Sequence, residues 1–336
     1  MYFALHHSAF RPEFPAAGGL VLAKLKEPDA IRRGRALKRV DRELSKGNFR
    51  AALSLVKQLQ GKPGGLRGFG AAKQVPRRMS SLDELKFSGI NISSLEPLVD
   101  PILDSVERSI QFASSDEVSL LGLESLMHDE SYDSLCEDHL MCMQVRHPFP
   151  SPALQYWQKT NEKHEAGHFL VGYLLGVLPK RYRVPSIDAL RQDKLAGGRV
   201  EFLGFEFLRE VDTEKISQKK FSKGNLYDRA NKGKISSKTL NRFLCVILGG
   251  LAAEHLVFGY SEGLHSDVEK LDRVLKWLGF TESEADSQVR WATLNTVLIL
   301  GRHREARSRL AEAMALGRSV GFCIDTIEKS LNDVEI

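Results

Sequence analysis

Two histidines four residues apart flank a glutamate in the stretch Lys163-His164-Glu165-Ala166-Gly167-His168-Phe169-Leu170. In a helix of about 3.6 residues per turn, positions four apart share one face, so His164 and His168 can each present a ring nitrogen to a single ion. Glu165 then stands beside that ion without having to bind it. These are the parts of a zinc hydrolase: two neutral imidazoles and a third protein ligand hold Zn²⁺, and one coordination position stays open for water. In such centres the metal lowers the pKa of the water to about 7, and a neighbouring carboxylate takes its proton as it attacks a polarised carbonyl.

The elements around the motif have to deliver that geometry. Phe169, Leu170, Tyr173, Leu174 and Val177 recur at helical spacing, which predicts a helix from Pro152 through Leu178, stopped by Pro179. An extended motif would need glycine at 171 and histidine at 174, but the chain has Val171 and Leu174. The third ligand therefore comes from far downstream.

Residues 196–207 alternate as a strand, whose exposed edge could take up an extended peptide or could merely cover the core. Residues 212–238 are rich in lysine and poor in apolar side chains, and read as a mobile insertion. A helix is expected from Leu240 to Phe258, ending at Gly259. The Gly249-Gly250 pair inside it costs about 1 kcal/mol per residue relative to alanine, so it implies close packing against a neighbour, expected to be the H-E-x-x-H helix. Ser266 or Asp267 is placed to cap a helix running to Trp277. Helices over Glu282–Leu300, His303–Ala315 and Val320–Leu331 follow, so the fold class is mainly α (α+β), with a small β element after the motif helix.

Ahead of the motif, residues 1–80 hold 17 Lys/Arg against 5 Asp/Glu. Residues 1–30 lack periodicity and fit either an organelle transit sequence or a basic tail. Ile31–Gln60 reads as two short helices broken at Ser45-Lys46-Gly47-Asn48, with a basic face read as solvated rather than as a nucleic-acid surface. Gly61–Gly70 reads as a linker, because Pro63 interrupts it and no phosphate-loop pattern fits. Residues 81–150 read as a helical and irregular connector, and residues 151–333 as the domain that carries the chemistry. Cys136, His139, Cys142 and His147 match no common zinc finger and are read as unrelated side chains. Four cysteines without a paired pattern fit a reducing compartment. No uninterrupted apolar run reaches about 18 residues, so no transmembrane helix is expected.

Three separated blocks resemble the peptidase domain of FtsH-type zinc metallopeptidases. They are His164-Glu165-Ala166-Gly167-His168, then Leu248-Gly249-Gly250-Leu251-Ala252-Ala253-Glu254 with Val257-Phe258-Gly259, then Gly263 followed by Asp267-Val268. The resemblance covers about residues 155–330 and implies a helical FtsH-like peptidase fold, with Zn²⁺ held by His164, His168 and Asp267 and Glu165 as catalytic base. Glu254 is the runner-up for the third ligand, or else an outer carboxylate. His255 and His265 are read as exposed or as outer groups. The chain as a whole is similar to plant chloroplast proteins that carry this peptidase without its ATPase, which implies a chloroplast location, the alternative being cytoplasmic.

No Walker motif is present, so substrates would be unfolded or delivered proteins and peptides. The implied partners are a second copy of the chain or an FtsH-type protease, and no nucleic acid. An alternative within the same resemblance is a non-proteolytic, chaperone-like accessory subunit that retains the fold.

Overall fold

In the computed structural model the described residues are 29–75, 96–115, 152–192, 197–218, 235–261 and 265–331. The basic, amphipathic N-terminal stretch forms α1 (Asp29–Ser45) and α2 (Phe49–Leu59), turning at Gly47 with φ 75°. A third helix, α3 (Glu96–Ser115), precedes α4 (Pro152–Leu174), which carries the motif. Then come β1 (Pro179–Arg183), α5 (Ile187–Gln192), β2 (Arg199–Phe202) and α6 (Leu208–Gln218). The remainder is helical: α7 (Ser237–Ile247), α8 (Gly249–Phe258), α9 (His265–Trp277), α10 (Glu282–Arg302), α11 (Arg304–Ala315) and α12 (Val320–Ser330). The fold is mainly α, with one two-stranded antiparallel sheet among the described residues. The group Cys136, His139, Cys142 and His147 lies outside those residues, as do 219–234 of the lysine-rich stretch; its first part continues α6.

Helix α4 runs through the centre. Phe169, Leu170, Val171, Tyr173 and Leu174 are all fully buried, because α8, α11, α7 and α10 pack around it. Its closest neighbour is α8, and the glycines explain how. A Cβ built on Gly167 would lie 2.2 Å from the Gly249 carbonyl oxygen, so two backbones meet there without side chains between them. The expected packing of the Gly249-Gly250 pair on the motif helix is what the structure has.

Several boundaries differ from the sequence reading. Helix α4 stops at Leu174 rather than Leu178, because Gly176 takes a left-handed φ of 76° and the chain turns into β1. The stretch from 240 to 258 is two helices, interrupted at Leu248 beside the glycine pair. By length and composition Ser237–Phe258 could span a bilayer, yet 67% of its most apolar window is buried inside the protein.

The strand expected over 196–207 covers only Arg199–Phe202. Gly204, with φ 96°, ends it, and the following phenylalanines pack in a turn. Phe205 and Phe207 each sit 5.5 Å from the Phe243 ring, and Phe207 stacks on Trp277 at 6.4 Å. Their two-residue spacing therefore reflects an aromatic cluster rather than a pleat.

The glycine-rich stretch is not a linker. Leu66 and Phe69 are buried in the main core, and the N–H groups of Gly70 and Ala72 donate to the carbonyls of Tyr173 and Leu174. Those carbonyls belong to the last turn of α4, where the helical ladder runs out, and the Tyr173 carbonyl accepts from Gly176 N–H as well. The strap thus shares in capping the C-terminus of the motif helix.

Candidate metal centre

Four elements supply the site. Helix α4 presents His164, Glu165 and His168, all buried at 2%, 2% and 6% exposure. Helix α8 passes beneath them, and Gly250 is obligatory there: a Cβ would fall 2.3 Å from His164 Nε2. Helix α9 brings Asp267 in its first turn, with its carboxylate aimed at the histidines rather than capping the helix as expected. The start of β2 lies over Glu165, so close that a Cβ on Gly198 would be 2.5 Å from Glu165 Oε1. Gly198 N–H donates to Asn161 Oδ1 at 3.3 Å, one turn before Glu165 on α4.

Hydrogen bonds on the far side of each ring decide where the imidazole protons sit. His168 Nδ1 is 2.7 Å from the Val246 carbonyl oxygen. A carbonyl can only accept, so Nδ1 carries the hydrogen and Nε2 presents a lone pair. This bond exists because the helical ladder breaks at Leu248; the neighbouring Cys245 carbonyl accepts from Thr296 instead. His164 Nδ1 is 2.7 Å from Glu254 Oε1, whose other oxygen accepts from Ser261. A hydrogen on Nδ1 donated to Glu254 Oε1 would give His164 the same tautomer.

The two Nε2 atoms are 2.9 Å apart, and Asp267 Oδ2 is 3.1 Å from the first and 2.9 Å from the second. Without an added proton, three acceptors converge on one point. That arrangement is repulsive unless a cation or an added proton sits between them. The donor set of two imidazoles and a carboxylate suits Zn²⁺, and tetrahedral ligands at about 2.0–2.1 Å from the ion would be about 3.3–3.4 Å apart, a small outward spread from the spacing found. His164, His168 and Asp267 could hold a metal ion on these distances alone.

Electrostatics point the same way. Burial disfavours charge on His164, but hydrogen bonds to Asp267 and Glu254, with the charges of Glu254 and Glu165, push its pKa up to about 10. Burial would raise Asp267, yet His168, His164 and Lys270 hold it well below the usual carboxylate range. Glu165 is raised by burial, against the lowering pull of the two histidines. Its Oε2 has no hydrogen-bond partner among the described residues.

Glu254, the runner-up for third ligand, contacts Nδ1 of His164, on the opposite side of the ring from the convergence point. It orients the His164 ring from behind. His255 is half-buried on α8 and lies 3.2 Å from Ser105, away from the histidine pair; the side chain of His265 is outside the described residues. Lys270 and Gly198 were not singled out by sequence reasoning. The signal for Lys270 was its place one turn after Asp267, and for Gly198 the glycine pair at the start of a strand. The Val246 carbonyl left no signal, since any residue supplies one.

A cleft of about 330 Å³ opens at these side chains, lined also by Gly198 through Phe202 of the β2 segment and by Lys270. Among the described residues β2 pairs with β1 alone, and no other described strand lies along its second edge. No protein-family model, curated protein or solved structure matches the chain.

Proposed function

We propose that this chain is a zinc-dependent endopeptidase. The observation that carries the reading is the convergence of His164 Nε2, His168 Nε2 and Asp267 Oδ2 beside a buried Glu165 oxygen that has no partner among the described residues. The three sequence blocks that resemble FtsH-type peptidases support it as well, because two of them supply these ligands and the third supplies the glycine crossing beneath them.

His164, His168 and Asp267 would hold the ion. Bound there, Zn²⁺ supplies Lewis-acid polarisation of a carbonyl and acidification of a water. Glu165 takes a proton from the attacking water and returns it to the departing amine, the role of a carboxylate buried beside two imidazoles. Glu254 holds the His164 ring in the tautomer that leaves Nε2 free, and the Val246 carbonyl does the same for His168. The edge of β2 that no described strand pairs with would offer backbone groups to an extended peptide, which suits unfolded or delivered protein substrates.

The test is cleavage of casein by the wild type and by Glu165→Gln, with bound zinc measured in both. Loss of about 10²–10⁴-fold in rate with zinc retained is expected for removal of a general base. Equal cleavage by both proteins would remove Glu165 from the mechanism.

A further inference from the structure

Asp267 divides its two oxygens between different partners. Oδ2 faces the histidine pair at 3.1 and 2.9 Å, while Oδ1 lies 2.9 Å from the ammonium of Lys270, one turn further along α9. The carboxylate is 15% exposed, and Lys270 lines the same cleft as Glu165. An ion pair of this spacing on an open helix surface has little effect. Here one partner is a largely enclosed carboxylate whose orientation decides what the centre can bind.

A carboxylate can meet a cation through one oxygen or through both. Meeting it through both adds a ligand and fills the position that a hydrolytic centre leaves for water. A cation fixed on Oδ1 opposes that arrangement, because turning the carboxylate would break a charge-assisted hydrogen bond. Among the groups facing Asp267, the two histidines occupy Oδ2 and Lys270 supplies the full positive charge on the other side.

We propose that Lys270 is a positioning residue that holds Oδ1 of Asp267 so that Oδ2 alone meets the histidine pair, keeping one position open at the centre. The proposal rests on the metal-centre reading given above. It is tested on the metal-free full chain with Lys270→Met and Lys270→Arg, by Zn²⁺ affinity against a chromophoric chelator and by the visible spectrum of the Co²⁺-loaded protein.

Lys270→Met is expected to weaken Zn²⁺ binding about 10–100-fold, the usual effect of removing a group that orients a ligand. Its Co²⁺ bands are expected to lose intensity as a fifth ligand atom joins, while Lys270→Arg, which can still donate to Oδ1, stays close to the wild type. If Lys270→Met binds Zn²⁺ as the wild type does, with an unchanged Co²⁺ spectrum, the proposal is overturned and the metal centre stands. A weaker affinity matched by a lower thermal midpoint of the metal-free protein also overturns it, since that reports damage to α9. A wild type that takes up neither ion overturns both readings.

Discussion

At the scale of residues, what separates this centre from an ordinary buried histidine pair is the direction of its hydrogens. Both Nδ1 atoms are engaged behind the rings, by Glu254 and by the Val246 carbonyl, so both Nε2 atoms face Asp267 Oδ2. The H-E-x-x-H spacing made His164, Glu165 and His168 legible from the sequence. Asp267 was legible only through the resemblance, because a contact across 103 positions leaves no local pattern. Gly250 offers a residue-scale test. Its missing side chain is the space that His164 fills, and a methyl group would meet Nε2 at 2.3 Å. Gly250→Ala is expected to destabilise the protein by about 1–3 kcal/mol, as overpacking does, and to displace His164 and weaken Zn²⁺ binding at least about tenfold. Chemical denaturation of the metal-free variant and a chelator competition measure the two effects separately. Wild-type affinity in that variant would mean that His164 is not held in place by α8.

At the scale of elements, helices with capping signals and sustained spacing were readable, and the breaks between them were not. Thr281 and Glu284 form a reciprocal capping box that starts α10 one residue later, where the sequence places it. The interruption at Leu248 was missed because both flanking segments are apolar and helical in pattern; the glycine pair marked close packing but not the break. Helix α9 begins earlier than its polar residues suggest, since the Asp267 carboxylate faces the histidine pair instead of the helix end.

The junction between α10 and α11 carries a pH effect of its own. His303 is buried there, its Nδ1 has no partner among the described residues, and burial together with the Arg302 charge lowers its pKa to about 4. The unfolded chain takes up this proton near its ordinary value of about 6.5. Between about 6.5 and about 4 the unfolded state therefore binds more protons, and stability falls as the pH falls through that window. His303→Gln should lose less stability than the wild type between about pH 7.5 and about pH 5, read from urea midpoints. Identical losses in the two proteins would show that His303 titrates normally in the folded chain.

At the scale of the whole molecule, distant parts of the chain converge on α4. The strap after α2 caps its last turn, and the fully buried Glu328 of α12 accepts from the N–H groups of Arg67 and Gly68 and from the Tyr173 hydroxyl. Glycine and proline made that strap look like a linker, whereas its glycines allow close approach: a Cβ on Gly68 would fall 2.4 Å from Leu331. The proposed ligands likewise come from two helices, α4 and α9, so metal binding draws together segments that the chain separates widely. A ligand that binds only the folded state stabilises it by about 2.7 kcal/mol at a hundredfold excess over its dissociation constant. Zn²⁺ should accordingly raise the thermal midpoint of the metal-free protein. The most direct measurement is a calorimetric titration of the metal-free chain with Zn²⁺, beside Asp267→Asn. One ion per chain for the wild type, with binding weakened at least about a hundredfold in the variant, is the result predicted for a lost ligand. No saturable binding by the wild type, or equal binding by the two proteins, would contradict a centre built from His164, His168 and Asp267.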